Sequence, residues 1–211
     1  HLELEKGCSI STRNPRFAAI RDFMDYAADH DITLIANLNK LKKVPFKKPD
    51  NTIMVDYMSM RAITAIIEQP DINTPKGLRD RFFIMLLYDT GARVQEVLNL
   101  KLGDLQLGQL PKVTLFGKGR KTRVVPLMEK TAQHLKKYLS VFHKDTAQNV
   151  DAPLFYSVIH GNKQRLSDRR IRYVLQKYGE QARRVCPEVP SNVYPHLLRH
   201  SRAMHLYQEG M

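Results

Sequence analysis

Lys112-Val113-Thr114-Leu115-Phe116, Gly117-Lys118-Gly119-Arg120-Lys121 and Thr122-Arg123-Val124-Val125-Pro126 run on without a break, and this stretch decides the fold. Its outer runs are rich in β-branched residues at a period of two, and its centre carries two glycines, which together predict a β-hairpin. Everything around it has helical spacing. Val55, Met58, Ala62 and Ile66 mark one helix, Leu78 through Tyr88 an almost wholly apolar and therefore central one, and Gly91 to Lys101 a third that carries Val94, Val97 and Leu98. Beyond the hairpin, 129–142, 167–185 and the residues from His196 onward read as helices. The fold class is mainly α with a small antiparallel β-sheet (α+β), without βαβ alternation or internal repeats.

Farther out, Phe17, Ile20, Met24 and Ala27 predict an amphipathic helix over 11–30, with Thr12 and Asn14 as caps and Pro15 in its first turn. The segment from Lys40 to Asn51 holds five lysines and two prolines, a composition for an extended connector. Three parts follow: residues 1–40 as the end of a small helical domain too short to bury a good core alone, a basic linker over 41–52, and a larger domain over 53–211. The chain of 211 residues, 43% hydrophobic and 26% charged, excludes collagen-like, low-complexity and wholly disordered classes. No apolar run approaches the roughly 20 residues of a membrane helix, and the first residues do not form a signal peptide. Cys8 and Cys186 are the only cysteines and suggest neither a zinc site nor a disulfide framework. A soluble, cytoplasmic protein without a membrane or small-molecule partner is the expectation. Since the chain begins without Met, it is also expected to be part of a longer protein.

Charge gives the next expectation. Lys and Arg number 34 against 21 Asp and Glu, a net charge of +13. The excess is clustered: Lys112–Arg123 holds five basic residues and no acid, and Lys163, Arg165, Arg169, Arg170 and Arg172 are broken only by Asp168. Basic segments in separate elements suit a phosphate backbone better than a merely solvated face. Poor aromatic interleaving favours duplex DNA over stacked single strands. The expected DNA contacts are Lys42, Lys43, Lys47 and Lys48 of the connector, Arg120, Lys121 and Arg123 of the hairpin, and Arg169 and Arg170 of the later patch.

Four residues ask for more than binding. Arg93 follows Thr90-Gly91-Ala92 at a helix start, where backbone N–H groups favour an anion, although a surface ion pair is the commoner use of such an arginine. Lys118 sits in the hairpin turn. His196 and Arg199, three apart, share a helical face. His196, His200 and His205 lack the glutamate of a H-E-x-x-H zinc motif, so no metal or other cofactor is expected.

Asp89-Thr90-Gly91-Ala92-Arg93-Val94-Gln95-Glu96-Val97-Leu98, the hairpin from Phe116 to Leu127, and His196-Leu197-Leu198-Arg199-His200-Ser201 resemble, in order and separation, three motifs of the tyrosine recombinase, or phage integrase, family. The resemblance covers the chain from the connector onward, and residues 9–30 are similar to the last part of the family's helical core-binding domain. It implies a DNA clamp that recombines strands through a 3′-phosphotyrosyl intermediate, and a tetramer of the full-length protein on duplex DNA. Arg93 and Arg199 match the two catalytic arginines, Lys118 the hairpin lysine that protonates the leaving 5′-oxygen, with Lys121 as its rival, and His196 the histidine. Glu96 matches the acidic residue that supports the first arginine. The family's second His or Trp and its nucleophilic tyrosine lie farther from the second arginine than this sequence reaches. Tyr207, eight residues past Arg199, is at the place of a structural aromatic. The chain is thus expected to be a fragment without the nucleophile, inactive by itself. A non-catalytic duplex-binding module on the same fold is the alternative; a metal-dependent nuclease would need clustered carboxylates near the basic motifs.

Overall fold

The computed structural model describes residues 3, 5–48, 56–117, 119, 121–144 and 149–210. They divide into two compact units, His1–Met54 and Val55–Met211. In the first, α1 (Ile10–His30) and α2 (Ile35–Lys42) are joined by a 3₁₀ turn, Ile32–Leu34, whose start is capped by Asp31 accepting from the Thr33 N–H at 2.9 Å. Phe17, Ala28 and Leu38 are buried between them. Here the expectations shift. α1 begins at Ile10, not at Thr12 or Asn14, and Pro15 lies inside it, where its missing N–H removes one helical bond. Phe17 keeps its inward place, but Ile20 is exposed. Lys40 and Lys42, read as connector, belong to the last turn of α2. The end of the connector from Pro49 lies outside the described residues, as does Val55, read as the first marker of the next helix.

In the second unit, α3 (Met60–Glu68) starts later than the spacing suggested: Ser59 caps it through Ala62 N–H at 3.2 Å, and Met58 precedes it, its N–H donating to Ser201 Oγ. α4 (Pro75–Thr90) opens on Thr74, which accepts from Gly77, with Pro75 in the first turn where its missing N–H costs nothing. Phe82, Phe83, Leu86 and Leu87 are all but inaccessible, so this helix is the axis of the core, as its continuous apolar run required. α5 is a single turn, Val94–Leu98.

The sheet has the order β1-β2-β3, with β1 (Leu105–Gln106) added to the expected hairpin of β2 (Lys112–Phe116) and β3 (Thr122–Pro126). Its antiparallel register runs from Lys112 opposite Pro126 to Phe116 opposite Thr122, which turns Val113 and Leu115 into the core. α6 (Glu129–Phe142) packs beside α4, where Tyr138 lies against Phe82 at 5.0 Å between ring centroids. A second hairpin, β4 (Tyr156–Ile159) and β5 (Asn162–Arg165), was not foreseen. α7 (Asp168–Arg183), capped by Ser167, and α8 (Pro195–Gln208) complete the chain. No helix among the described residues is long and apolar enough to cross a membrane.

Candidate active site

The site is built on the end of α4. Gly91 turns the chain there with φ of 55°, a left-handed conformation that a side chain would strain. The turn presents Arg93 as the residue that caps α5. Its backbone N–H donates to Glu96 Oε2 at 3.0 Å, and its guanidinium donates to Glu96 Oε1 at 3.1 Å. Arg123, from β3, donates to Glu96 Oε2 at 2.6 Å. One carboxylate, 5% exposed, therefore joins α5 to the hairpin through two guanidiniums and a main-chain amide. Burial alone would raise the Glu96 pKa, but the bonds from Arg123 and Arg93 outweigh it and hold the carboxyl below the usual range.

The hairpin approaches Glu96 closely. The Gly117 N–H donates to the Lys121 carbonyl at 2.7 Å, and a Cβ at Gly117 would lie 3.3 Å from both that carbonyl and Glu96 Oε1. A larger residue there would push the turn away from the arginines. Lys118 and Arg120 lie outside the described residues.

Arg199 comes from α8 and donates to the Gly91 carbonyl at 2.9 Å. Partial burial lowers its pKa, and Arg93 and Arg123 lower it further while Glu96 opposes them. An arginine remains protonated throughout, so the shift reflects the cost of burying its charge, and after that of placing it beside like charges, rather than a change of state. Three guanidiniums against one carboxylate leave an excess of two positive charges. Such a cluster is stabilised by an anion, and forked N–H donors match phosphate oxygens. His196, one turn before Arg199 on the same helix, is exposed. His205 does not join it: it is buried, with its Nδ1 bonded to the Tyr88 hydroxyl at 2.8 Å, so the three histidines of α8 do not converge on one point.

The pattern of the phage integrase family matches residues 56–211. The chain belongs to that family. This integrase-family chain is 30% identical over 205 residues to tyrosine recombinase XerC of Staphylococcus carnosus, across 97% of the chain and 64% of that protein. It is 31% identical over 216 residues to tyrosine recombinase XerD of Staphylococcus aureus, across 100% and 67%. The curated relatives it matches are longer: the chain spans 61% of one from Sinorhizobium fredii and 57% of XerD from Staphylococcus epidermidis. In fold it is similar to the Tn1549 transposon integrase in complex with transposon right end DNA, with a TM-score of 0.71 at 18% identity over 99% of the chain and 70% of the other.

Of the site residues expected from sequence, Arg93 and Arg199 come together around Glu96, and His196 stands one turn from Arg199 on α8. Arg123 has a second task there, as a prop for Glu96. Lys42 pairs with Asp25 at 2.7 Å and Lys47 with Glu3 at 2.6 Å, whereas Lys43 and Lys48 are exposed; all four belong to the first unit. Lys121 is exposed at the foot of the hairpin turn, and Arg169 is exposed at the start of α7. Arg170 lies over the Tyr173 ring at 5.5 Å. Two contributors went unread: Arg202, whose Nε donates to the Asp89 carbonyl at 3.2 Å, and Asp89 itself, whose Oδ2 accepts the Met128 N–H at 2.7 Å. The signal was present for Arg202, which is three residues from Arg199 and hence on its face.

Proposed function

We propose that this chain carries the phosphate-activating part of a site-specific DNA recombinase that cleaves and rejoins strands through a 3′-phosphotyrosyl intermediate. The observation that carries the proposal is the gathering of Arg93, Arg123 and Arg199 around the buried Glu96. In the reaction, a tyrosine oxygen attacks the scissile phosphorus and the bond to the 5′-oxygen breaks. Negative charge grows on the non-bridging oxygens, where Arg93 and Arg199 clamp it; arginines in other phosphoryl transfers supply factors on the order of 10³ or more. The leaving oxygen takes a proton from Lys118, and His196 exchanges a proton or hydrogen-bonds the phosphate. The phosphotyrosyl bond conserves the energy for rejoining, so no nucleotide is consumed.

Tyr207 does not fit the attacking role. It lies eight residues beyond Arg199 on α8, about 12 Å along the helix axis, and its ring is exposed. On the family's pattern, the attacking tyrosine belongs to a longer protein that includes this chain and works as a tetramer on duplex DNA. Lys43, Lys48, Lys121, Arg120, Arg169 and Arg170 bind the backbone of that duplex, joined by Lys42 and Lys47, whose exposed ion pairs a phosphate can replace at little cost.

The test is a duplex with a nick beside the scissile phosphate, incubated with the full-length protein and run on a denaturing gel. A covalent protein–DNA band is expected, lost in Arg93→Ala and Arg199→Ala with most DNA affinity retained. No band from the parent protein, or a band that maps to Tyr207, refutes the proposal.

A further inference from the structure

Arg202 is an unusual residue to find where it is. Its side chain is 12% exposed, its guanidinium lies over the Tyr88 ring at 5.6 Å, and its stem runs 3.6 Å from where a Cβ on Gly91 would stand. Burying an arginine is costly unless its N–H groups find partners. Here the hydrogen-bond partner is the Asp89 carbonyl, at 3.2 Å from Nε, and the Asp89 carboxylate adds only an ion pair at 4.0 Å from the nearest guanidinium nitrogen. Asp89 in turn is 2% exposed and accepts the Met128 N–H that starts α6. Three residues earlier on α8, Arg199 bonds the Gly91 carbonyl. Two arginines one turn apart thus grip two carbonyls two residues apart, at the end of α4 where carbonyl groups have no helical partner.

We infer that Arg202 and Asp89 form a positioning pair that fixes α8 against the Gly91 turn and so sets Arg199 at its working distance from Arg93. The inference rests on the proposed function and gives that site a supporting shell. Arg199 alone could swing about its side-chain torsions, since a single bond to Gly91 leaves its stem free to rotate. With Arg202 bonded beside it, α8 cannot slide or turn without breaking the Asp89 bond as well, and Gly91 stays under both. Arg202 is nearly buried between Asp89 and the Tyr88 ring. Its influence passes through Arg199, and a displacement of about 1 Å in such a group lowers a rate by as much as 100-fold.

Arg202→Met keeps the stem on Tyr88 and removes the donors; Arg202→Lys keeps the charge and a single donor nitrogen in place of the fork. In the full-length protein, Arg202→Met is expected to slow single-turnover cleavage by roughly 10- to 100-fold, with DNA affinity within about threefold of the parent and Arg202→Lys partly restored. In an Arg199→Lys background the same change should have little further effect, because what it positions is already gone. An undiminished loss in that background, a parallel loss of DNA affinity, or cleavage within twofold of the parent would each overturn the inference. A crystal structure of Arg202→Met decides the matter independently of activity. The Arg199–Gly91 bond of 2.9 Å should open beyond hydrogen-bond reach while the core superposes, and a retained bond refutes the positioning role even if the protein proves not to be a recombinase.

Discussion

Replacing Glu96 by Gln keeps the shape of the side chain and removes its charge, which makes it the sharpest single test of how the arginine cluster is held. The carboxylate accepts three bonds, two from Arg93 and one from Arg123, and is almost wholly shielded from water. Glutamine can accept only on its one oxygen and turns an amide toward a guanidinium. Hydrogen bonds to charged groups are worth about 1.5–3 kcal/mol each, and breaking a fully buried pair costs about 3–5 kcal/mol. Arg93 and Arg123 are 53% and 38% exposed, so solvent screens both and repays part of the loss. A net cost of about 2 kcal/mol is the reasonable expectation, or a melting temperature lower by about 4–8 °C for a unit of this size. The pH dependence supplies the sign. The folded state lowers the Glu96 pKa, so its contribution is fully present above the ordinary glutamate range and is lost as pH falls through the depressed value. Thermal melts followed by circular dichroism from neutral to strongly acid pH should therefore show the parent and variant far apart at pH 7 and converging in acid. A gap that stays constant down to about pH 3, or no gap at pH 7, refutes the assignment of Glu96 as the charged anchor of Arg93 and Arg123.

Three further outcomes are expected. DNA affinity should fall linearly in logarithm with the logarithm of salt concentration, and binding that is the same at about 50 and 200 mM would contradict a backbone-contact interface. Gly91→Ala forces a side chain into a left-handed turn at a cost of about 1–2 kcal/mol; a lower melting temperature together with impaired cleavage is expected, and an unchanged melt would show that the turn relaxes freely. Tyr207→Phe should leave adduct formation by the full-length protein intact, and its loss would return Tyr207 to candidacy as the nucleophile.

The parts of this fold that could be read from sequence are those where one face is buried and the other wet. β2 alternates exposed Lys112, buried Val113 and buried Leu115, and its glycine-bearing turn announces the return strand. β5 shows no such pattern, because all four of Asn162, Lys163, Gln164 and Arg165 are exposed. Polarity therefore never alternates, and the turn before it, His160-Gly161, has both residues at positive φ but carries histidine first, where Asn, Asp or Gly would have signalled a hairpin. Pro15 misled in the opposite direction, since proline is common in a first turn and here sits in the sixth position of α1. In the site, Arg93 and Glu96 are legible because a capping residue and its partner are local in sequence. The bond from Arg123 to Glu96 spans 27 residues and that from Arg202 to Asp89 spans 113, and the second ends on a backbone carbonyl that no side-chain pattern encodes.

That carbonyl chemistry explains why the cluster sits at the end of α4. A helix C-terminus carries partial negative charge and unpaired carbonyls, so it holds cations without neutralising them as a carboxylate would. Among the described residues Arg199 is held through the Gly91 carbonyl by one of its five N–H groups, which keeps its charge and fork for an incoming anion. Arg93 is held by a carboxylate, but one shared with Arg123 and therefore able to cancel only one of their two charges. Main-chain anchoring and a shared acid are two ways to keep guanidiniums rigid and still short of anions. A site that must hold charge developing on phosphate oxygens, with no reorganisation at the moment of reaction, needs both properties.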